Sequence, residues 1–133
     1  MKYYYSWEFR TIHLQDLDHL YKIFYNEKNI KIIPSNIIDY LSPKVLAYWL
    51  MDDGGFRKKG GMLIHTNSLK YEEVDLLCQS LNILYKIQSR RYIKKKGLKE
   101  YPIIYIPKHD YLNIIVPLIK PYFIDTMYYK LGE

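Results

Sequence analysis

Between Tyr3 and Ile12 the chain is aromatic and β-branched, a strand pattern, and Leu14, Leu17, Leu20, Tyr21 and Phe24 then recur at helical spacing up to Tyr25. A polar stretch from Asn26 to Lys31 and the turn Pro34-Ser35-Asn36 interrupt the periodicity. Ser42-Pro43 predicts a helix start, with the hydroxyl as N-cap and proline at the first helical position. That helix runs to about Asp52, where Gly54-Gly55 must end it. Two short strands follow, Phe56 to Lys58 and Met62 to Asn67, joined by a Gly60-Gly61 turn. Ser68 can cap a second helix whose apolar positions Val74, Leu77, Leu81 and Leu84 share one face. A longer strand is expected from about Tyr85 to Ile93, then a turn over Lys94 to Lys99 and a strand over Pro102 to Ile106. A last helix, from about His109 to Ile119, precedes Lys120-Pro121 and an aromatic tail. From Pro43 onward the order is therefore helix, two strands, helix, two strands, helix, an α+β arrangement.

Composition narrows the class. The 133 residues are 49% hydrophobic and 26% charged, enough apolar material for a packed core and too much for a disordered chain. No apolar run approaches the length needed to cross a bilayer, and the opening Met1-Lys2-Tyr3-Tyr4-Tyr5 is neither a signal nor a transit peptide. A single cysteine, Cys78, excludes a disulfide framework and a cysteine-built zinc site; it falls within an apolar helical pattern and reads as core. His13, His19 and His109 lack metal-ligand spacing.

Charge adds a partner. Twenty Lys and Arg against 14 Asp and Glu give a net charge of +6, which favours a polyanion. The excess is clustered in Arg57-Lys58-Lys59, Arg90-Arg91, Lys94-Lys95-Lys96 and Lys99, interleaved with tyrosines. The 16 tyrosines, with abundant Ile, Asn and Lys and few Arg, are residues of A/T-rich codons. They point to an A/T-rich genome, and an organelle, mitochondrial origin fits the absent transit peptide.

The stretch Leu46-Ala47-Tyr48-Trp49-Leu50-Met51-Asp52-Asp53-Gly54-Gly55 resembles the LAGLIDADG motif of homing endonucleases, in a variant with Tyr-Trp for the central Gly-Leu. Ile33 to Asn36, Tyr71 to Val74, Pro102 to Ile106, Leu118 to Tyr122 and Met127 to Leu131 extend the similarity, in order, along nearly the whole chain. The αββαββα order is that family's repeat, whose four antiparallel strands form a DNA-binding saddle. The resemblance makes Asp53 a catalytic ligand for a divalent cation, Mg²⁺ or another such as Mn²⁺, because phosphodiester cleavage needs a metal-activated water and hard ions take carboxylate oxygens. Asp52, about 100° away around the helix, is less suited to share the ion. Lys130 matches a lysine near the family's active site and would stabilise developing negative charge.

On such a saddle, alternation turns Met62, Ile64 and Thr66 inward and His65 and Asn67 towards the ligand. Lys86, Gln88, Arg90 and Tyr92 would form a polar stripe opposite Ile87, Ser89 and Ile93. Gln88, Arg90 and Asn67 are types that pair with base edges, and Arg57, Lys58, Lys59, Lys94, Lys95 and Lys96 are suited to phosphates.

The chain matches a second repeat, residues 41–133, preceded by the strand–helix tail of a missing one, residues 1–40. The family uses two motif helices side by side, and one is present. Leu46, Ala47, Trp49, Leu50 and Gly54 would form the face for a partner helix, most simply from a second LAGLIDADG-bearing chain, as a heterodimer or a homodimer. The implied function is half of a split or dimeric endonuclease making metal-dependent, site-specific cuts in double-stranded DNA. The alternative is a non-catalytic RNA-binding protein of the same descent, an intron maturase or a ribonucleoprotein subunit binding structured RNA. No membrane partner is expected.

Overall fold

The computed structural model describes residues 33–66 and 68–132. The chain divides into two units, Met1–Pro34 and Ser35–Glu133, and the described residues fall almost wholly in the second. The expected strand and helix before Tyr25, and Asn67, lie outside the described residues.

After a 3-10 turn at Ile37–Tyr40, the first helix, α1 (Pro43–Asp53), starts as its sequence dictates. Ser42 is the N-cap, and its hydroxyl accepts from the Val45 N–H at 3.2 Å. The helix leaves directly into strand β1 (Gly54–Arg57), because Gly54 takes extended backbone, φ −84° and ψ 148°, instead of a left-handed cap. A Cβ on Gly54 would lie 2.6 Å from the Leu50 carbonyl oxygen and 3.2 Å from Met62 Sδ. Glycine is thus required here by close packing, not by a turn. β1 pairs antiparallel with β2 (Gly61–Ile64).

The second helix, α2 (Tyr71–Tyr85), begins at Lys70, not at Ser68 as expected. The Lys70 N–H donates to the Glu73 carboxylate at 2.9 Å, which satisfies an orphan donor of the first turn. Val74, Leu77, Cys78 and Leu81 are buried as the periodicity predicts, but Leu84 is exposed.

The expected strand from Tyr85 is corrected. Lys86 closes α2 in the left-handed conformation at φ 54°, its N–H bonded to the Asn82 carbonyl at 2.9 Å. The Asn82 side chain then stands in for a neighbouring strand. Its amide oxygen accepts from the Ser89 N–H at 2.7 Å and its NH₂ donates to the Ser89 carbonyl at 3.0 Å. The strand, β3 (Arg90–Lys96), starts only afterwards and pairs with β4 (Lys99–Ile106). Lys94 to Lys96 therefore belong to the strand, and the turn is confined to Gly97-Leu98, with Gly97 at φ 64°.

The four strands form one antiparallel sheet in the order β1-β2-β4-β3. The last helical run starts at α3 (Lys108–Asp110), widens into a π turn over Tyr111–Ile115 and recovers as α4 (Val116–Ile119). Pro117 accounts for the widening. It has no N–H for the Asn113 carbonyl and its ring crowds that carbonyl, so the Val116 N–H reaches back to Tyr111. 3-10 turns at Lys120–Tyr122 and Asp125–Leu131 finish the fold.

The core joins α1, α2 and the last helical run to one face of the sheet through Leu46, Leu50, Met62, Ile64, Leu77, Leu81, Ile104, Ile106, Tyr111 and Ile115, all fully buried. This corrects the expected partner-helix face. Leu46, Ala47 and Leu50 are each 0% exposed, Gly54 is buried and Trp49 is half-buried. α1 packs on α4, on the turn Lys120–Tyr122 and on β1, so its apolar side chains are core of this chain and not an open stripe.

Candidate functional site

Residues directly opposite each other in antiparallel strands share a face, and the register therefore sorts the cations. Arg91 pairs with Ile104. Its guanidinium reaches α2, 2.9 Å from the Asp75 carboxylate and 4.6 Å from the centre of the Tyr71 ring. That marks the helix side of the sheet. The opposite face of β3 and β4 carries Arg90 with Tyr105, Tyr92 with Ile103, Lys94 with Tyr101, and Lys96 with Lys99. On β1 and β2 it carries Gly55 with Leu63 and Arg57 with Gly61, and His65 continues the same alternation.

Of the predicted binding residues, Arg57, His65, Arg90, Tyr92, Lys94 and Lys96 thus share one face. Lys58 and Lys59 sit exposed in the turn between β1 and β2, where Lys108 Nζ donates to the Lys58 carbonyl at 2.5 Å. Three of the predicted binding residues lie off this strand face. Lys95 falls on the Arg91 side by alternation, its ammonium 4.0 Å from Glu100. Lys86 closes the helix through its backbone, and Gln88 precedes the strand with its N–H bonded to the Asp110 carboxylate at 2.8 Å. Tyr101 and Tyr105 were missed, although the alternation of Tyr101, Ile103 and Tyr105 against Pro102, Ile104 and Ile106 was there to find them.

The carboxylates sit where α1 meets this sheet. Asp52 is exposed and Asp53 half-buried in its last turn, and the Asp53 carbonyl accepts from the His65 N–H at 3.0 Å. Acids at a helix C-terminus oppose its dipole. The chain answers with Lys130, 79 positions from its acceptor, whose Nζ donates to the Met51 carbonyl at 2.6 Å. Burial pulls the Lys130 ammonium below its ordinary value, while Asp52 and Asp53 act against that pull. The two acids and the lysine are thus brought together, as the motif and the tail suggested separately.

Tyr111, which sequence reasoning passed over, sets this arrangement. Its ring is fully buried and stacks on Phe56 at 5.6 Å. Its hydroxyl donates to the Lys130 carbonyl at 2.5 Å, pinning the backbone from which the ammonium extends. His65 lies beside this cluster, and a Cβ on Gly55 would be 3.6 Å from its Nε2. Burial, then the charges of Lys94, Arg57 and Lys130, hold its imidazole below the ordinary value, so it is neutral near pH 7.

Hard carboxylate oxygens at an accessible helix end suit Mg²⁺, which takes one or two carboxylates and keeps waters and phosphate oxygens for the rest. Among the described residues no three His, Cys, Asp or Glu side chains gather into a complete cage. Nor is any described helix long and apolar enough to cross a membrane.

A sheet with helices on one face and cations and tyrosines around the buried Leu63 and Ile103 on the other, and acids beside a lysine where the leading helix enters it, defines an α+β fold. Over residues 2–114 the sequence matches the LAGLIDADG DNA endonuclease family, and the chain belongs to that family. It is 38% identical to "Probable intron-encoded endonuclease 1" of Wickerhamomyces canadensis, over 95% of this chain and 55% of that protein. It is also 38% identical to the cytochrome b mRNA maturase bI2 of Debaryomyces hansenii, over 77% of this chain and 38% of the maturase. Among solved structures, the homing endonuclease I-WcaI bound to its DNA recognition sequence superposes with a TM-score of 0.68 at 37% identity. That match covers 81% of this chain and 49% of the other. The chain thus spans about half, or less, of the length of these relatives.

Proposed function

We propose that this chain is one catalytic half of a homing endonuclease that makes metal-dependent, site-specific cuts in double-stranded DNA. The observation that carries the reading is the convergence of Asp53, Asp52 and Lys130 beside a sheet face bearing Arg57, His65, Arg90 and Lys94. The face supplies phosphate and base-edge contacts, and it directs the backbone of a bound duplex towards Asp53. Asp53, with water and phosphate oxygens, would hold Mg²⁺ or Mn²⁺. When bound, such an ion lowers the pKa of water and stabilises the leaving oxygen. Lys130 places a positive charge where negative charge builds on the phosphate. The described residues offer one carboxylate cluster, so the second would come from another copy of the motif, in a second chain or elsewhere in a longer protein. The match to about half the length of the Wickerhamomyces canadensis endonuclease and of I-WcaI supports that reading. Their intron-encoded character and the A/T-coded composition support an organelle, mitochondrial origin.

The second reading, an RNA-binding protein of maturase type, is favoured by one observation, the 38% identity to an mRNA maturase. Native pull-down of the tagged chain, with mass spectrometry and sequencing of bound nucleic acid, separates the two. A second motif-bearing protein, recovered free of abundant RNA, is the result expected of the endonuclease. One co-purifying RNA species with its proteins would favour the maturase. In the recovered complex, Asp53→Asn is expected to abolish Mg²⁺-dependent cutting, by at least about a hundredfold, and to leave duplex affinity largely intact. A variant that cuts normally would refute the assignment of Asp53.

A further inference from the structure

The three tyrosines of the β3–β4 hairpin do not follow from a groove-docking surface. Tyr92, Tyr101 and Tyr105 lie on the same face as Arg90 and Lys94. Tyr92 is 47% exposed and the other two are half-buried. A tyrosine meets a duplex through its hydroxyl, at a phosphate or a base edge, and its ring face finds no partner there, because the bases turn their faces to each other. Two of the three rings are beside a cation: the Arg90 guanidinium is 5.2 Å from the centre of the Tyr105 ring, and Lys94 is directly opposite Tyr101. Aromatic rings alternating with cations on a sheet are what unstacked bases require, since the rings take the base faces and the cations follow the backbone.

Spacing points the same way. Tyr101 and Tyr105 are four positions apart on β4, and Tyr92 stands opposite Ile103, midway between them. The rings therefore advance in steps of about 7 Å along the strand direction. Stacked bases in a duplex strand rise by only about 3.4 Å, so only bases spread apart can meet successive rings.

We propose that the β3–β4 face is a stacking platform for single-stranded nucleic acid, with Tyr92, Tyr101 and Tyr105 each taking the face of an unstacked base and Arg90 and Lys94 holding the intervening phosphates. The proposal rests on the reading of this sheet face as the nucleic-acid surface. It adds a ligand class to it, a strand whose bases are splayed, such as a loop or a locally opened duplex.

The test is fluorescence anisotropy with the full chain at fixed salt, using labelled oligouridylate, oligothymidylate and a mixed-sequence duplex. Tyr92→Ala and Tyr105→Ala are each expected to weaken binding to the single strands roughly tenfold and to weaken duplex binding by a clearly smaller factor. Tyr92→Phe and Tyr105→Phe, which keep the ring and the packing, are expected to bind single strands like the unsubstituted chain. Unchanged single-strand affinity in the alanine variants, or an equal loss on the duplex, overturns the proposal. Lys94→Glu is expected to weaken all three probes. If it weakens none, the sheet face is not the nucleic-acid surface and the proposal falls with that reading, whereas a loss on all three with inert tyrosines removes the platform alone.

Discussion

At the scale of single residues, the site is held by groups whose roles the primary sequence separates widely. Lys130 reaches back to the Met51 carbonyl because the Tyr111 hydroxyl fixes the backbone that carries it. Removing that hydroxyl leaves the buried ring and its stack on Phe56 in place. Tyr111→Phe is therefore expected to cost only about 1 kcal/mol in denaturant unfolding and to lower the cutting rate of the assembled enzyme by a larger factor than it lowers duplex affinity. An unchanged rate would show that Lys130 needs no such anchor. Cys78 has a different character. Burial pushes its thiol up to about 11, with the Ser89 hydroxyl bond acting weakly the other way. A thiol raised on folding keeps its proton while the unfolded chain loses it. Its contribution to stability is therefore complete below its ordinary value near 9 and is lost as pH rises towards 11. Native protein at pH 8 is expected to resist thiol reagents, and Cys78→Ala is expected to flatten the fall in unfolding midpoint between pH 9 and 11. Rapid labelling without unfolding would contradict the burial.

At the scale of elements, α1 was readable at both ends because its signals are local. Ser42-Pro43 starts it through a bond three residues long, and the glycines stop it. The reason for Gly54 was not readable, since a Cβ there would meet the Leu50 carbonyl and Met62 on another strand. Gly54→Ala is expected to destabilise the fold by roughly 1–3 kcal/mol, through overpacking against the Leu50 carbonyl, with the midpoint of chemical denaturation as the readout. An unaltered midpoint would mean that helix and strand separate freely there. The end of α2 misled the sequence reading for a related reason. Alternation in Lys86 to Ile93 fits a strand, but Lys86 takes a left-handed cap without being glycine and Asn82 supplies Ser89 with the bonds a strand would have made. Neither fact is visible in periodicity. The site fared likewise: Asp53 followed from its motif, whereas the face on which Arg91 and Lys95 lie depends on where β3 begins.

At the scale of the whole molecule, a net charge of +6 announced a polyanion partner without saying which surface meets it. The sheet register divides the cations between two faces. Arg57, Arg90, Lys94 and Lys96 share the face opposite the helices, while Arg91 is drawn to Asp75 and Lys95 lies towards Glu100. The proposed nucleic-acid surface stands on this division of the cations into two faces. The most direct measurement of it is duplex affinity against salt concentration for the unsubstituted chain and for Arg57→Gln, Lys94→Gln, Lys70→Gln and Lys95→Gln. Each neutralised phosphate contact should lower the log–log slope by about 0.9. Arg57→Gln and Lys94→Gln are expected to show that loss, and Lys70→Gln and Lys95→Gln are expected to keep the original slope. Equal losses in all four variants, or losses confined to Lys70 and Lys95, would contradict the assignment of the sheet face opposite the helices as the surface that binds nucleic acid.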